Sequence, residues 1–86
     1  MPRISVFYGI VISMYFADHD PPHFHATYGE YRARISIESL EAMDRGLPTR
    51  ALRPIEEWAT LHQDELRANW ERARRRQPLR TIDPMP

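Results

Sequence analysis

Eighty-six residues support one domain, and a chain of this size buries only about two-thirds of the surface its unfolded form exposes, so its core is modest. The absence of cysteine excludes disulfides, thiolate zinc sites and cysteine nucleophiles together, and three scattered glycines exclude a phosphate-cradling glycine loop. Twelve acidic and twelve basic residues cancel, so net charge argues neither for nor against a nucleic-acid partner.

A hydrophobic fraction of 42% indicates a folded globule. No stretch approaches the ~20 apolar residues of a membrane span, and the N-terminus lacks a signal-peptide core. The expectation is a soluble, cytoplasmic protein with no membrane role. All twelve basic residues are arginine. Codon bias in a GC-rich genome explains that, unless local clustering shows guanidinium forks set to bind phosphate or carboxylate.

In chain order, residues 3–8 (RISVFY) and 10–16 (IVISMYF) are β-branched and aromatic, and read as two strands joined by a tight Tyr8–Gly9 turn. Ala17 to Pro22 cannot continue a ladder, because Pro21 and Pro22 offer no backbone N–H. Residues 23–28 (HFHATY) and 31–37 (YRARISI) form a hairpin, with Gly29 at the first central position of a type II′ turn. That turn pairs Tyr28 with Tyr31, Ala26 with Ala33 and Phe24 with Ile35 on an apolar face. On the polar face it sets Thr27 opposite Arg32, His25 opposite Arg34 and His23 opposite Ser36.

After Pro48 the period changes from two to three-and-four. Leu52, Ile55, Ala59, His62, Leu66, Asn69 or Trp70, and Ala73 predict one amphipathic helix over 49–75, with Thr49 as N-cap and a bend near Pro54. Residues 79–82 read as a short edge strand. The fold class is therefore α+β: a four- or five-stranded antiparallel sheet with one long helix packed on one face. Trp58 and Trp70 read as core or interface anchors, and His62 as a core histidine.

Three constellations carry chemistry. Asp18, His19, His23 and His25 gather imidazoles beside a carboxylate, the ligand types of zinc, nickel or iron. With no cysteine and no fourth ligand at persuasive spacing, the expectation is no tightly held ion at His19, His23 and His25, and no cofactor. The same imidazoles beside Arg32 and Arg34 suit RNA cleavage without a metal. One ring removes the 2′-OH proton, another protonates the leaving oxygen, and the guanidiniums meet the phosphorane charge. Tyr15, Tyr28 or Phe24 would offer stacking surface. The plain alternative is a set of cross-strand polar pairs on a solvated face. The third constellation, Arg72 with Arg74, Arg75 and Arg76, is either a phosphate-facing cluster or the favourable basic end of a helix.

Met14-Tyr15-Phe16, Asp18-His19, Pro21-Pro22-His23-Phe24-His25 and Tyr28-Gly29-Glu30-Tyr31 together resemble a family of small bacterial proteins known as domain of unknown function 4160. The likeness continues through Leu47-Pro48, Glu57-Trp58-Ala59, Asn69-Trp70 and Pro78-Leu79. It implies a toxin-like component of a two-gene module, acting on RNA or translation and partnered by a small protein encoded next to it. It marks Asp18, His19, His23 and His25 as catalytic candidates, and Glu30 and Tyr31 as substrate-binding candidates beside Arg32 and Arg34. Three readings stay open: an RNA-directed protein, as a metal-independent ribonuclease; a non-catalytic regulatory module; and a metal-binding protein using His19, His23 and His25. Nine aromatic residues in so small a chain also predict a homo- or hetero-oligomer.

Overall fold

The computed structural model describes residues 2–86, in the order β1 (Arg3–Phe7), β2 (Ile10–Ser13), β3 (His23–Tyr28), β4 (Tyr31–Ser36), α1 (Thr49–Leu61) and α2 (Gln63–Arg74). The strands make one antiparallel sheet in sequence order, a meander. Tyr8 and Gly9 both take left-handed backbone, φ 52° and 77°, as a type I′ turn requires. Gly29 sits at φ 59° while Glu30 stays out of the left-handed region. That turn produces all six predicted pairs, from Tyr28–Tyr31 to His23–Ser36.

One face of the sheet carries the core. Phe7, Ile10, Ile12, Phe24, Ala26, Ala33 and Ile35 are all buried. Trp58 of α1 packs on Phe7 and Phe24, with ring centroids 5.3 and 5.9 Å away. Ala51, Ile55 and Ala59 complete the α1 stripe, and Leu66, Asn69, Trp70 and Ala73 the α2 stripe. Both tryptophans are therefore core, Trp70 on the apolar period and Trp58 beside it.

Several expected boundaries move. Two helices replace the single one over 49–75, and they divide at His62 rather than near Pro54. Pro54 lies inside α1 without ending it. Ahead of the break, Thr60 Oγ1 donates to the Glu56 carbonyl at 2.7 Å, a back-bond that competes with the helix ladder and bends helices. His62 then leaves helical geometry at φ −119°, ψ 23°. Gln63 is drawn off to the turn just beyond β4, its Nε2 donating to the Ile37 carbonyl at 2.7 Å. Pro48, not Thr49, occupies the N-cap.

The second strand stops at Ser13 rather than residue 16. Ala17 takes φ 54° and gives its N–H to the Ala73 carbonyl of α2 at 3.0 Å, so the chain leaves the sheet to reach the helix end. Residues 79–82 form no strand, yet the segment from Pro78 onward runs along the outer side of β1. Ile82 N–H donates to the Ile4 carbonyl at 2.7 Å, and Trp58 Nε1–H to the Asp83 carbonyl at 2.8 Å. The Tyr8 hydroxyl donates to the Pro86 carbonyl. Buried Asn69 clamps Arg80 twice, donating to its carbonyl at 2.8 Å and accepting its N–H at 3.0 Å.

The connection after β4 guards the opposite margin. Met43 N–H reaches the Arg34 carbonyl at 2.7 Å, and Ser36 N–H the Glu41 carbonyl at 2.9 Å. Gly46 presses so closely that a Cβ there would stand 2.0 Å from the Arg32 carbonyl oxygen. Among the described residues, no helix is long and apolar enough to cross a membrane.

Candidate functional site

Alternation along β3 puts His23 and His25 on the face turned away from Phe24 and Ala26. The Ala17–Pro22 connection swings Asp18 back over them. Its Oδ2 lies 3.0 Å from His23 Nε2 and 3.3 Å from His25 Nε2, and its Oδ1 accepts the His19 N–H at 2.8 Å. The His23 Nδ1 faces the Pro21 carbonyl at 2.7 Å. A carbonyl only accepts, so Nδ1 carries the proton.

The two imidazoles live in different surroundings. His23 is 3% exposed, shut in by Trp70 of α2 at 5.3 Å between ring centroids. This face therefore does carry core at its His23 end. One ring is enclosed, with both nitrogens engaged. His25 is half-buried, with Tyr15 edge-on at 4.4 Å. Its strand neighbours are Ser13 on β2 and Arg34 on β4. The Ser13 hydroxyl is buried with no hydrogen-bond partner among the described residues.

His25 opens onto a concavity of about 290 Å³ lined by Tyr15, Thr27, Arg32, Ala33, Arg34 and Asp44 as well. Burial lowers the His25 pKa more than its hydrogen bond to Asp18 raises it. Burial also works to raise Asp18, but the His19 N–H, the His25 hydrogen bond and the nearby imidazoles outweigh it and hold that carboxyl below the ordinary value.

The arginines also part company. Arg34 is bound bidentately to Asp44, Nε to Oδ2 at 2.9 Å and Nη2 to Oδ1 at 2.8 Å. That fork and the Arg34 backbone N–H pull Asp44 down to about 2. To clamp a phosphate Arg34 would first have to release Asp44, which already fills its fork. Arg32, exposed on the same wall, has no ion-pair partner among the described residues.

The other candidates fall elsewhere. His19 contributes only its backbone N–H. Glu30 is exposed in the hairpin turn. Tyr31 stacks on Tyr28, centroids 6.4 Å apart, on the helix side of the sheet, and lines a separate shallow hollow with Leu47 and Leu52. Neither Glu30 nor Tyr31 joins the His25 concavity. Arg72 is held by Asn69 and Arg74 by Glu71, so these two serve their own helix. His62 pairs with Glu65 at 2.6 Å and lies against Trp58, ring centroids 5.6 Å apart. Sequence reasoning missed Asp44, Ser13 and the Pro21 carbonyl. Only Pro21 carried a signal, two residues before a ring on the same turn.

A family model described as a domain of unknown function (DUF4160) matches residues 9–71, well over half of the chain. No curated protein and no solved structure matches.

Proposed function

The chain belongs to the DUF4160 family, and from that premise we propose that it is a toxin-like cytoplasmic component of a two-gene bacterial module that engages RNA on the polar face of its hairpin. One observation carries the reading: an arginine without a carboxylate partner, Arg32, shares a concavity with an accessible imidazole, His25, and an aromatic edge, Tyr15. Guanidinium meets phosphate, the aromatic ring meets a base, and the imidazole meets the sugar-phosphate between them. At about 290 Å³ the hollow suits one phosphate and its sugar, so the strand runs across its mouth.

Cleavage by two free imidazoles loses support, because His23 is enclosed. His25, held by Asp18, remains the group that meets the ribose. The partner is the small protein encoded alongside: Tyr15 and Phe16, 42% and 41% exposed beside the site, give it an apolar surface whose covering would close the concavity.

Expression of the gene alone should arrest growth, and co-expression of the neighbour should restore it. His25→Ala should abolish the arrest while circular dichroism stays native. If the reaction uses His25 for proton transfer, in vitro cleavage should fall by a factor of about 10²–10⁴. Arrest unchanged in His25→Ala would remove the concavity from the mechanism and favour the non-catalytic regulatory module.

A further inference from the structure

We infer that Asp18, His23 and His25 form a binding centre for a divalent first-row transition-metal cation of the zinc type, open toward the His25 concavity.

The donor–acceptor pattern around His23 is the starting point. The Pro21 carbonyl at 2.7 Å fixes the proton on Nδ1. In the neutral ring, Nε2 is then a lone pair, and it points at Asp18 Oδ2 from 3.0 Å. Two acceptors at that separation repel unless a positive charge, a proton or a metal, lies at or between them. His25 brings its own Nε2 to within 3.3 Å of the same oxygen. Three potential ligand atoms converge, all within 4.8 Å of one another.

The spacing suits a cation. Metal–ligand bonds of about 2.0–2.1 Å in a tetrahedron imply ligand separations of about 3.3–3.4 Å. The two contacts to Asp18, at 3.0 and 3.3 Å, approach that value without rearrangement. The outer contacts fit as well. A ligating histidine ordinarily gives its other ring N–H to a carbonyl or carboxylate, which fixes tautomer and orientation. Pro21 does this for His23, and the His19 N–H on Asp18 Oδ1 orients the carboxylate. Trp70 and Tyr15 wall the imidazoles with apolar surface.

Two imidazoles and one carboxylate select borderline ions such as zinc, cobalt, nickel or ferrous iron over magnesium and calcium, which prefer oxygen. Three protein ligands leave at least one position for water or substrate, the arrangement of catalytic rather than structural sites. This reverses the sequence expectation of no held ion. The missing ligand was Asp18, which the loop folds back, while His19 stays outside. The inference deepens the RNA reading, on which only the link to a phosphate or ribose oxygen at the open position rests. Occupancy by the ion does not depend on it.

The test uses untagged, chelator-stripped protein titrated with zinc chloride by calorimetry, with native mass spectrometry for stoichiometry. One ion per chain is expected, and cobalt substitution should give the visible absorption of a low-coordinate site. Asp18→Asn and His25→Ala should each weaken zinc affinity by more than the roughly 10–100-fold typical of losing an outer partner, with circular dichroism native. His19→Ala and His62→Ala should leave it unchanged. Absence of stoichiometric zinc, a response to magnesium alone, or parental zinc affinity in the Asp18 and His25 variants would overturn the assignment. RNA binding measured in chelator separates the two readings. Binding that persists in chelator and weakens in Arg32→Ala supports the RNA face by itself, and zinc uptake without any RNA affinity leaves the metal centre standing alone.

Discussion

Arg32 and Arg34 stand one strand repeat apart and share a wall, but their surroundings assign them different work. Arg34 spends its fork on Asp44, whereas Arg32 keeps its charge for a ligand. Arg32→Ala should therefore weaken RNA binding and reduce the salt dependence by about one counterion. Arg34→Ala should chiefly unsettle the loop that Asp44 anchors. Filter binding over a salt series compares the two, and equal effects would mean the ion pair opens to admit phosphate. Asp44 gives a pH signature. Its folded-state pKa of about 2 lies below the ordinary 3.8, so its stabilising contribution is whole above 3.8 and fades as pH falls toward 2. The stability gap between the parent and Asp44→Asn, measured by urea denaturation, should be flat from neutral pH to about 4 and shrink below it. At this scale the sequence exposed the imidazoles and arginines, since alternation in a strand decides which side chains share a face. Asp44 was hidden, because nothing in residues 38–47 announces which strand residue the loop will meet.

Elements show the same division between local and non-local causes. The β3–β4 hairpin was legible because turn chemistry and apolar alternation act within fourteen residues and agree. The division at His62 was not, because it depends on Gln63 reaching a carbonyl twenty-six residues away. Pro54, the conspicuous breaker, sits early in α1 without dividing it. Gly46 offers a direct test of how loop and strand are joined. A Cβ at Gly46 would meet a backbone oxygen at 2.0 Å, whereas one at Gly29 would meet nothing within 4 Å. Gly46→Ala should cost about 1–3 kcal/mol through overpacking, or more if the backbone cannot yield. It should also displace Arg32 and weaken RNA binding. Gly29→Ala should cost about 1–2 kcal/mol from left-handed backbone strain alone and leave RNA binding intact. Urea denaturation and filter binding on both variants check the pairing.

The molecule as a whole is a sheet with α1 packed on one side, the site on the other, α2 closing the His23 end and a covering segment along each margin. Amphipathic periods revealed the layers. The covers were only hinted at, by the short run at 79–82, since a single hydrogen bond from Ile82 and a clamp from Asn69 leave no strand-like pattern. Removing residues 78–86 should strip Trp58 Nε1 of its acceptor, which costs about 1–3 kcal/mol for a buried donor left unpaired. It should also bare the outer backbone of β1. The shortened chain should then associate as its concentration rises, which light scattering would detect, while the parent should not associate through that margin. The segment that prevents this carries Pro78, Pro84 and Pro86, residues with no N–H to offer a further strand. It therefore ends hydrogen-bond templating instead of passing it outward. Among the described residues, a copy of the chain or a newly made partner meets backbone already engaged at Ile4 on one margin and at Arg34 and Ser36 on the other. Recognition then falls chiefly to side chains on the two faces, so a mutation that alters who binds this protein acts first through a surface residue.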